Sequence, residues 1–200
     1  MNPARGWDAG VGVAGAADRP AVVKCGGSLL SGVGWQTRLR TLHDALDSAG
    51  SPLLVVGGGA IVDGLRAIDA ACPLDPTLVH DLAIGLLGTT ARLVAAALDL
   101  PVVVEANGGG VLDVATHLAV TGQTLPVGWH VTSDSIAARV AAASGRPLVL
   151  LKSVPPPPLD PHVVAVRGWA AAVAATGWVD PWFPAAAAPL RSITWASPTR

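Results

Sequence analysis

AVVKCGGSLL, residues Ala21 to Leu30, is a short β-branched run that leads straight into a lysine and a pair of glycines. Such a run reads as a buried strand that ends where side-chain bulk disappears. Lysine is scarce in this chain, with only Lys24 and Lys152 against eleven arginines. A compact ammonium is a point charge rather than a planar fork. At the carboxyl end of a first parallel strand it is well placed to meet a phosphate.

Downstream, apolar runs alternate with helical patterns. Leu39, Leu42 and Leu46 recur at helical spacing within a helix expected over Trp35 to Ala49. Pro52 to Val56 reads as a second strand, ending in Gly57, Gly58 and Gly59, and Ala60 to Ala70 as a helix with Ile61, Leu65 and Ile68 on one face. A long, mostly buried helix is expected from Thr77 to Asp99, and a third strand from Pro101 to Glu105. A short helix from Val111 and a strand around His117 to Thr121 follow. Ser133 or Asp134 caps a helix through Ser144, and Pro147 to Leu151 is a buried strand ending on Lys152. Pro155 to Pro158 forms a stiff spacer. A helix over Val163 to Thr176, a turn at Gly177 to Pro184 and a strand at Arg191 to Ala196 complete the chain. Continuous apolar strands separated by helices imply an α/β fold: a three-layer α/β/α sandwich around a mainly parallel sheet. Residues 1–20 read as a flexible arm and 21–200 as a single domain.

Composition narrows the function. The 200 residues are 51% hydrophobic with mean hydropathy +0.51, enough for one substantial core. A net charge of −1 advertises neither a nucleic acid nor an anionic membrane, so the expected partner is a small molecule. Cys25 and Cys72 have no metal or redox spacing, which suits a reducing cytoplasm. The first twenty residues lack the basic start and apolar stretch of a secretory signal. The run Leu82 to Leu100 is interrupted by Thr89, Thr90, Arg92 and Asp99, so no membrane span is expected. A cytoplasmic homo-oligomer is the expected state.

Gly10, Gly12 and Gly15 spell G-x-G-x-x-G, but no strand precedes them and no helix opens after them, so the dinucleotide fingerprint fails its context test. A Walker loop needs glycine before lysine and is absent, as is a G-x-S-x-G elbow. What remains is a phosphate cradle built from two strand ends, Gly26, Gly27 and Ser28 with Gly57, Gly58 and Gly59, where bare N–H groups and helix N-termini face an anion. Tight-turn glycines with no ligand would show the same pattern. Thr132-Ser133-Asp134-Ser135 places hydroxyls around one carboxylate at a helix start, as a cap or as a group that steadies charged lysines. Asp63 and Arg66 lie one turn apart, as a surface pair or an anion site. His80 reads as an acceptor contact or a core histidine, and Glu105 as an amine partner or a solvated strand end. His117, His130 and His162 lack zinc spacing, so no resident metal is expected.

Four motifs, V-V-K-C-G-G-S at 22–28, V-V-G-G-G at 55–59, T-S-D-S-I-A-A at 132–138 and L-L-K-S-V at 150–154, stand in an order that resembles the amino acid kinase family. W-H-V-T-S-D-S at 129–135 and W-V-D-P-W-F-P at 178–184 look most similar to its kinases of methanofuran-type cofactor synthesis. The resemblance implies that Lys24 contacts the transferring phosphate, Gly26 and Gly27 line its path, and Gly57 to Gly59 face the acceptor. It further implies that Asp134 organises the lysines and that Lys152 sits beside the nucleotide. ATP with Mg²⁺ would be the phosphoryl donor, and a phosphorylated aminomethylfuran the acceptor; UMP, an amino acid or an isoprenoid phosphate are the alternatives. The chain departs from the family where four prolines replace a nucleotide-contacting V-D-G loop and where no lysine follows Lys152. Those departures support a rival reading, a non-catalytic anion- or ligand-binding protein on the same fold.

Overall fold

Period-two alternation in three short strands decides the architecture. The computed structural model describes residues 7–13, 20–47, 50–158 and 165–199. In chain order these form β1 (Trp7–Val13), β2 (Val22–Cys25), a 3-10 turn (Gly27–Leu30), α1 (Trp35–Asp47), β3 (Leu53–Val56), α2 (Gly59–Ala71) and α3 (Pro76–Leu98). Next come β4 (Val102–Val103), β5 (Gly110–Leu112), α4 (Val114–Thr121), α5 (Ser133–Ser144), β6 (Leu148–Leu151), α6 (Val166–Ala175), α7 (Phe183–Ala187) and β7 (Ile193–Pro198). The sheet order is β1-β7-β6-β2-β3-β5-β4, parallel throughout except for β1 against β7.

Every residue of β2, β3 and β6 is buried, as a sheet covered on both faces requires. Val22, Leu53, Val55, Leu148 and Leu150 pack with Ile136 of α5 and Phe183 of α7 on one face. Their neighbours Val23, Cys25, Leu54, Val56 and Val149 pack with Leu39 and Leu42 of α1 and Val94 of α3 on the other. Each fully buried aliphatic side chain contributes about 1.5–3 kcal/mol relative to exposure. Lys24 is two residues after Val22 and Lys152 two after Leu150, so both lysines stand on the α5 face. The register sets Lys24 beside Leu150, which places Lys152 two residues further on, just past the end of β6.

Several expectations are corrected. The arm is not loose over Trp7–Val13, which pairs with β7 from Trp7 opposite Pro198 to Val13 opposite Ile193. Gly10 is needed there because a Cβ would lie 2.6 Å from the Trp195 ring. Residues 1–6 and 14–19, with Gly15, lie outside the described residues. The strand at 101–105 shortens to Val102–Val103, and the expected helix from Val111 and strand at 117–121 exchange places. Asp113 is the reason: its carboxylate accepts from Thr116 N at 3.3 Å and starts α4 just after β5. Phe183–Ala187 is helical inside and beyond the expected turn. The last strand begins two residues later than expected, at Ile193.

α3 begins under Asp75, which accepts from Leu78 N at 2.9 Å, with Pro76 at the first helical position. It is a described helix long and apolar enough to cross a membrane by length and composition. Thr90 does not interrupt it, since its hydroxyl donates back to Leu87 O at 3.0 Å, and Ala91, Val94, Ala95 and Leu98 cover the sheet. On α2 the expected apolar face is not buried: Ile61 is 41% and Ile68 60% exposed. That helix stands above the carboxyl edge of the sheet and borders a cavity there.

Candidate phosphate site

The cavity, about 550 Å³, opens at the carboxyl ends of β2, β3 and β6. Parallel strands place it there, because each is followed by a loop that climbs to a helix on one face of the sheet. Lys24 and Lys152 line it and converge on one carboxylate. Lys24 Nζ lies 2.8 Å from Asp134 Oδ1, and Lys152 Nζ donates to Asp134 Oδ2 at 2.8 Å. Asp134 is 4% exposed and sits behind the lysines in the first turn of α5. The two ammoniums share this one carboxylate, and both line the cavity.

The electrostatics follow from this arrangement. Burial pushes the Asp134 carboxyl up, but the Lys24 and Lys152 ammoniums together outweigh burial and hold it below the usual carboxylate range. Lys152 lies below the usual lysine range because of burial first and the Lys24 ammonium second, opposed by Asp134 and Asp180. Burial raises the Cys25 thiol to about 12, so this neighbour of Lys24 is an inert core filler.

The cap of α5 is Thr132, not Ser133 or Asp134. Its hydroxyl accepts from Asp134 N at 3.4 Å, which leaves the Asp134 carboxylate to the lysines. Ser133 borders the cavity, with its hydroxyl 2.8 Å from where a Gly57 Cβ would stand.

The glycines do two jobs. A Cβ on Gly27 would fall 2.1 Å from Gly59 N, and one on Gly59, at φ +53°, 2.6 Å from Gly27 O. The two strand-end loops therefore touch backbone to backbone. Gly26 N donates to Leu151 O at 2.8 Å and Gly57 N to Cys25 O at 2.8 Å, extending the sheet rather than facing an anion. Gly26 is absent from the cavity wall, whereas Gly27, Ser28, Gly57, Gly58 and Gly59 line it. Gly58 and Gly59 begin α2, whose first N–H groups have no intrahelical partner. Across the mouth, Ser28 donates to Ser153 Oγ at 3.0 Å.

The outer wall joins α2 to the loop before α5. Arg66 pairs with Asp63 at 2.8 Å, and its guanidinium lies 4.6 Å from the Trp129 ring centre. Trp129 Nε1 donates to Asp69 Oδ2 at 2.7 Å, which with Leu74 N lowers the Asp69 carboxyl. His80 Nδ1 accepts from Gly128 N at 3.4 Å. Asp63, Arg66, His80 and Thr132 are thus brought to the cavity wall.

Glu105 is not. It borders a second cavity, about 790 Å³, that includes Pro20, Ser51 and Arg146, residues just before β2, β3 and β6. With β4 only two residues long, the chain has already turned back to the amino edge, and Asn107 Nδ2 donates to Glu105 Oε2 at 2.6 Å. Asp69, Trp178 and Asp180 were not anticipated. The signal for Asp180 is a lone acid inside the apolar run WVDPWF, since a charge there must be buried with partners.

No family model matches the chain, and no curated protein does. Among solved structures, the fold is similar to that of the uridylate kinase from Archaeoglobus fulgidus, with a TM-score of 0.57 and 17% identity over 91% of each chain. The likeness is one of fold: an amino acid kinase-like α/β sandwich with a mostly parallel sheet.

Proposed function

We propose that the protein is an ATP-dependent small-molecule kinase that phosphorylates a phosphorylated aminomethylfuran during synthesis of a methanofuran-type one-carbon cofactor. The observation that carries the kinase reading is Asp134 bridging Lys24 and Lys152 at 2.8 Å each on the wall of a cavity at the strand ends. Phosphoryl transfer asks a protein for alignment and charge neutralisation more than covalent work. The donor set fits phosphate: two ammoniums and the N–H groups opening α2, which have no partner within the helix. Among the described residues no group of three or more His, Cys, Asp or Glu could hold a metal, so Mg²⁺ would arrive with ATP. Mg-ATP would supply both the phosphoryl group and the cation.

Within this reading Lys24 and Lys152 neutralise charge on the transferring group, and Asp134 keeps their ammoniums at fixed positions. Gly58 and Gly59 hold the acceptor's phosphate at the start of α2. Support for the acceptor class comes from the cavity wall. Val62, Ile84, Leu87, Val131 and Ile136 suit a flat apolar body, and Asp63 and Asp69 at the outer end suit an ammonium. We further propose a cytoplasmic homo-oligomer, for which Ile61, Ile68, Leu78 and Leu82 offer exposed apolar surface on α2 and α3.

ADP release measured with a panel of acceptors tests the proposal. Turnover of aminomethylfuran phosphate above UMP and amino acids is expected; preference for UMP or an amino acid contradicts the acceptor assignment. Four prolines at 155–158 favour the rival, a non-catalytic ligand-binding protein. A Mg-ATP binding titration separates the two, since only the kinase requires nucleotide affinity.

A further inference from the structure

Asp180, 6% exposed, accepts hydrogen bonds from Thr132 N at 3.1 Å, Thr132 Oγ1 at 2.7 Å, Ser135 N at 3.1 Å, Trp182 N at 3.1 Å and the Ser135 hydroxyl. Four of these five donors come from the residues flanking Asp134. A carboxylate supplied from 45 residues away therefore completes the N-terminus of α5, satisfying N–H groups that the helix itself cannot. Two residues earlier, Trp178 Nε1 donates to Val154 O at 3.0 Å, and its ring centre lies 5.1 Å from Lys152 Nζ. The segment Trp178 to Asp180 thus grips both the helix that carries Asp134 and the strand exit that carries Lys152. Trp169, edge-on at 6.0 Å, braces Trp178 from behind.

We propose that Asp180 is a positioning residue for phosphoryl transfer, fixing the first turn of α5 so that Asp134 bridges Lys24 and Lys152. The assignment rests on the kinase reading for its kinetic consequence and on geometry alone for its structural one. Asp180 does not line the cavity, so it acts through Asp134. It also acts by charge. The groups facing Lys152 are Lys24 from β2, Asp134 from α5, and Asp180 and the Trp178 ring from the segment before α7; of these, Asp134 and Asp180 favour its ammonium form.

Asp180→Asn keeps the shape and removes the charge. The expected outcome is a fall in kcat of roughly 10–100-fold, the usual cost of losing a supporting partner behind a reactive group. KM for the acceptor should stay within about twofold, because no cavity contact changes. The alkaline limb of kcat should move to lower pH as Lys152 loses a neighbouring negative charge. A second readout needs no turnover. With two lysines in the chain, ¹³Cε-lysine NMR gives two side-chain signals, assigned by Lys24→Arg and Lys152→Arg, and Asp180→Asn should lower the titration midpoint of Lys152.

Wild-type kcat and an unmoved Lys152 midpoint in Asp180→Asn would overturn the assignment, as would a loss of thermal stability with kcat and the alkaline limb unchanged. Should wild-type protein show no turnover at all, the kinase reading fails while the NMR titration still decides whether Asp180 governs Lys152. If Asp180→Asn does not fold, Ser135→Ala removes one hydroxyl donor and leaves the carboxylate. A smaller fall in kcat with an unmoved alkaline limb is then expected, and unchanged kcat overturns the proposal.

Discussion

Two cavities lie at opposite ends of the same parallel strands, and the proposed site is the smaller of them. At the amino edge Arg146 is 7% exposed and spends its guanidinium on main-chain carbonyls: Pro20 O at 2.6 Å, Gly108 O at 2.8 Å, and Ala106 O and Ser51 O at 3.4 Å. It ties its own loop to three others. At the carboxyl edge two lysines on the cavity wall share one carboxylate. Volume does not separate these regions; the use of charge does. A buried cation whose donors point at backbone is a fastening, whereas one held in excess of its carboxylate is ready for an anion.

The comparison can be broken most sharply at Lys24. Lys24→Ala should lower turnover at least roughly 10³-fold, beyond the loss of a single transition-state donor. Circular dichroism should show the fold retained, because removing one ammonium leaves Asp134 paired with Lys152. Turnover within tenfold of wild type would remove Lys24 from the mechanism. Arg146→Ala should do the converse, costing about 3 kcal/mol in a urea unfolding titration through stranded carbonyls. Turnover per folded molecule should stay within about twofold. A large activity loss without destabilisation would make the amino-edge cavity functional after all.

Acid titration sharpens the contrast further. The folded value of Asp134 is lowered, so its stabilisation is fully present above the unfolded value near 3.8 and is lost as pH falls through the folded value. The thermal-midpoint gap between wild type and Asp134→Asn should therefore close as pH falls below 3.8; a gap constant with pH would mean the ion pairs add nothing. The smallest effect is expected at Glu105. It is exposed and bonded to Asn107, so Glu105→Gln should change stability by under about 0.5 kcal/mol and leave turnover unchanged.

Sequence reading reached the central strands because β3 and β6 are unbroken apolar runs and β2 is one broken only by Lys24, a pattern that survives without tertiary context. It reached Lys24 and Lys152 because each ends such a run. It failed between residues 101 and 121, where a two-residue strand and the Asp113 cap outweighed β-branched composition, and Glu105 was misplaced with them. The glycine turns were legible as close approaches, but their division between loop packing and open N–H groups was not, since Gly27 needs Gly59 beside it to explain it. Asp180 was illegible as a partner because its donors at the start of α5 lie 45 and 48 residues away, and Ser133 or Asp134 reads locally as a sufficient cap.

The central claim is that Asp134 holds two lysines ready for a transferring phosphoryl group, and ³¹P NMR of Mg-ATP mixed with aminomethylfuran phosphate tests it most directly. Wild-type protein should generate a diphosphate product together with ADP, and Asp134→Asn, folded by circular dichroism, should do so at least roughly 100-fold more slowly. Equal rates for the two proteins, or no phosphoryl transfer by the wild type to any phosphorylated acceptor, would contradict the account.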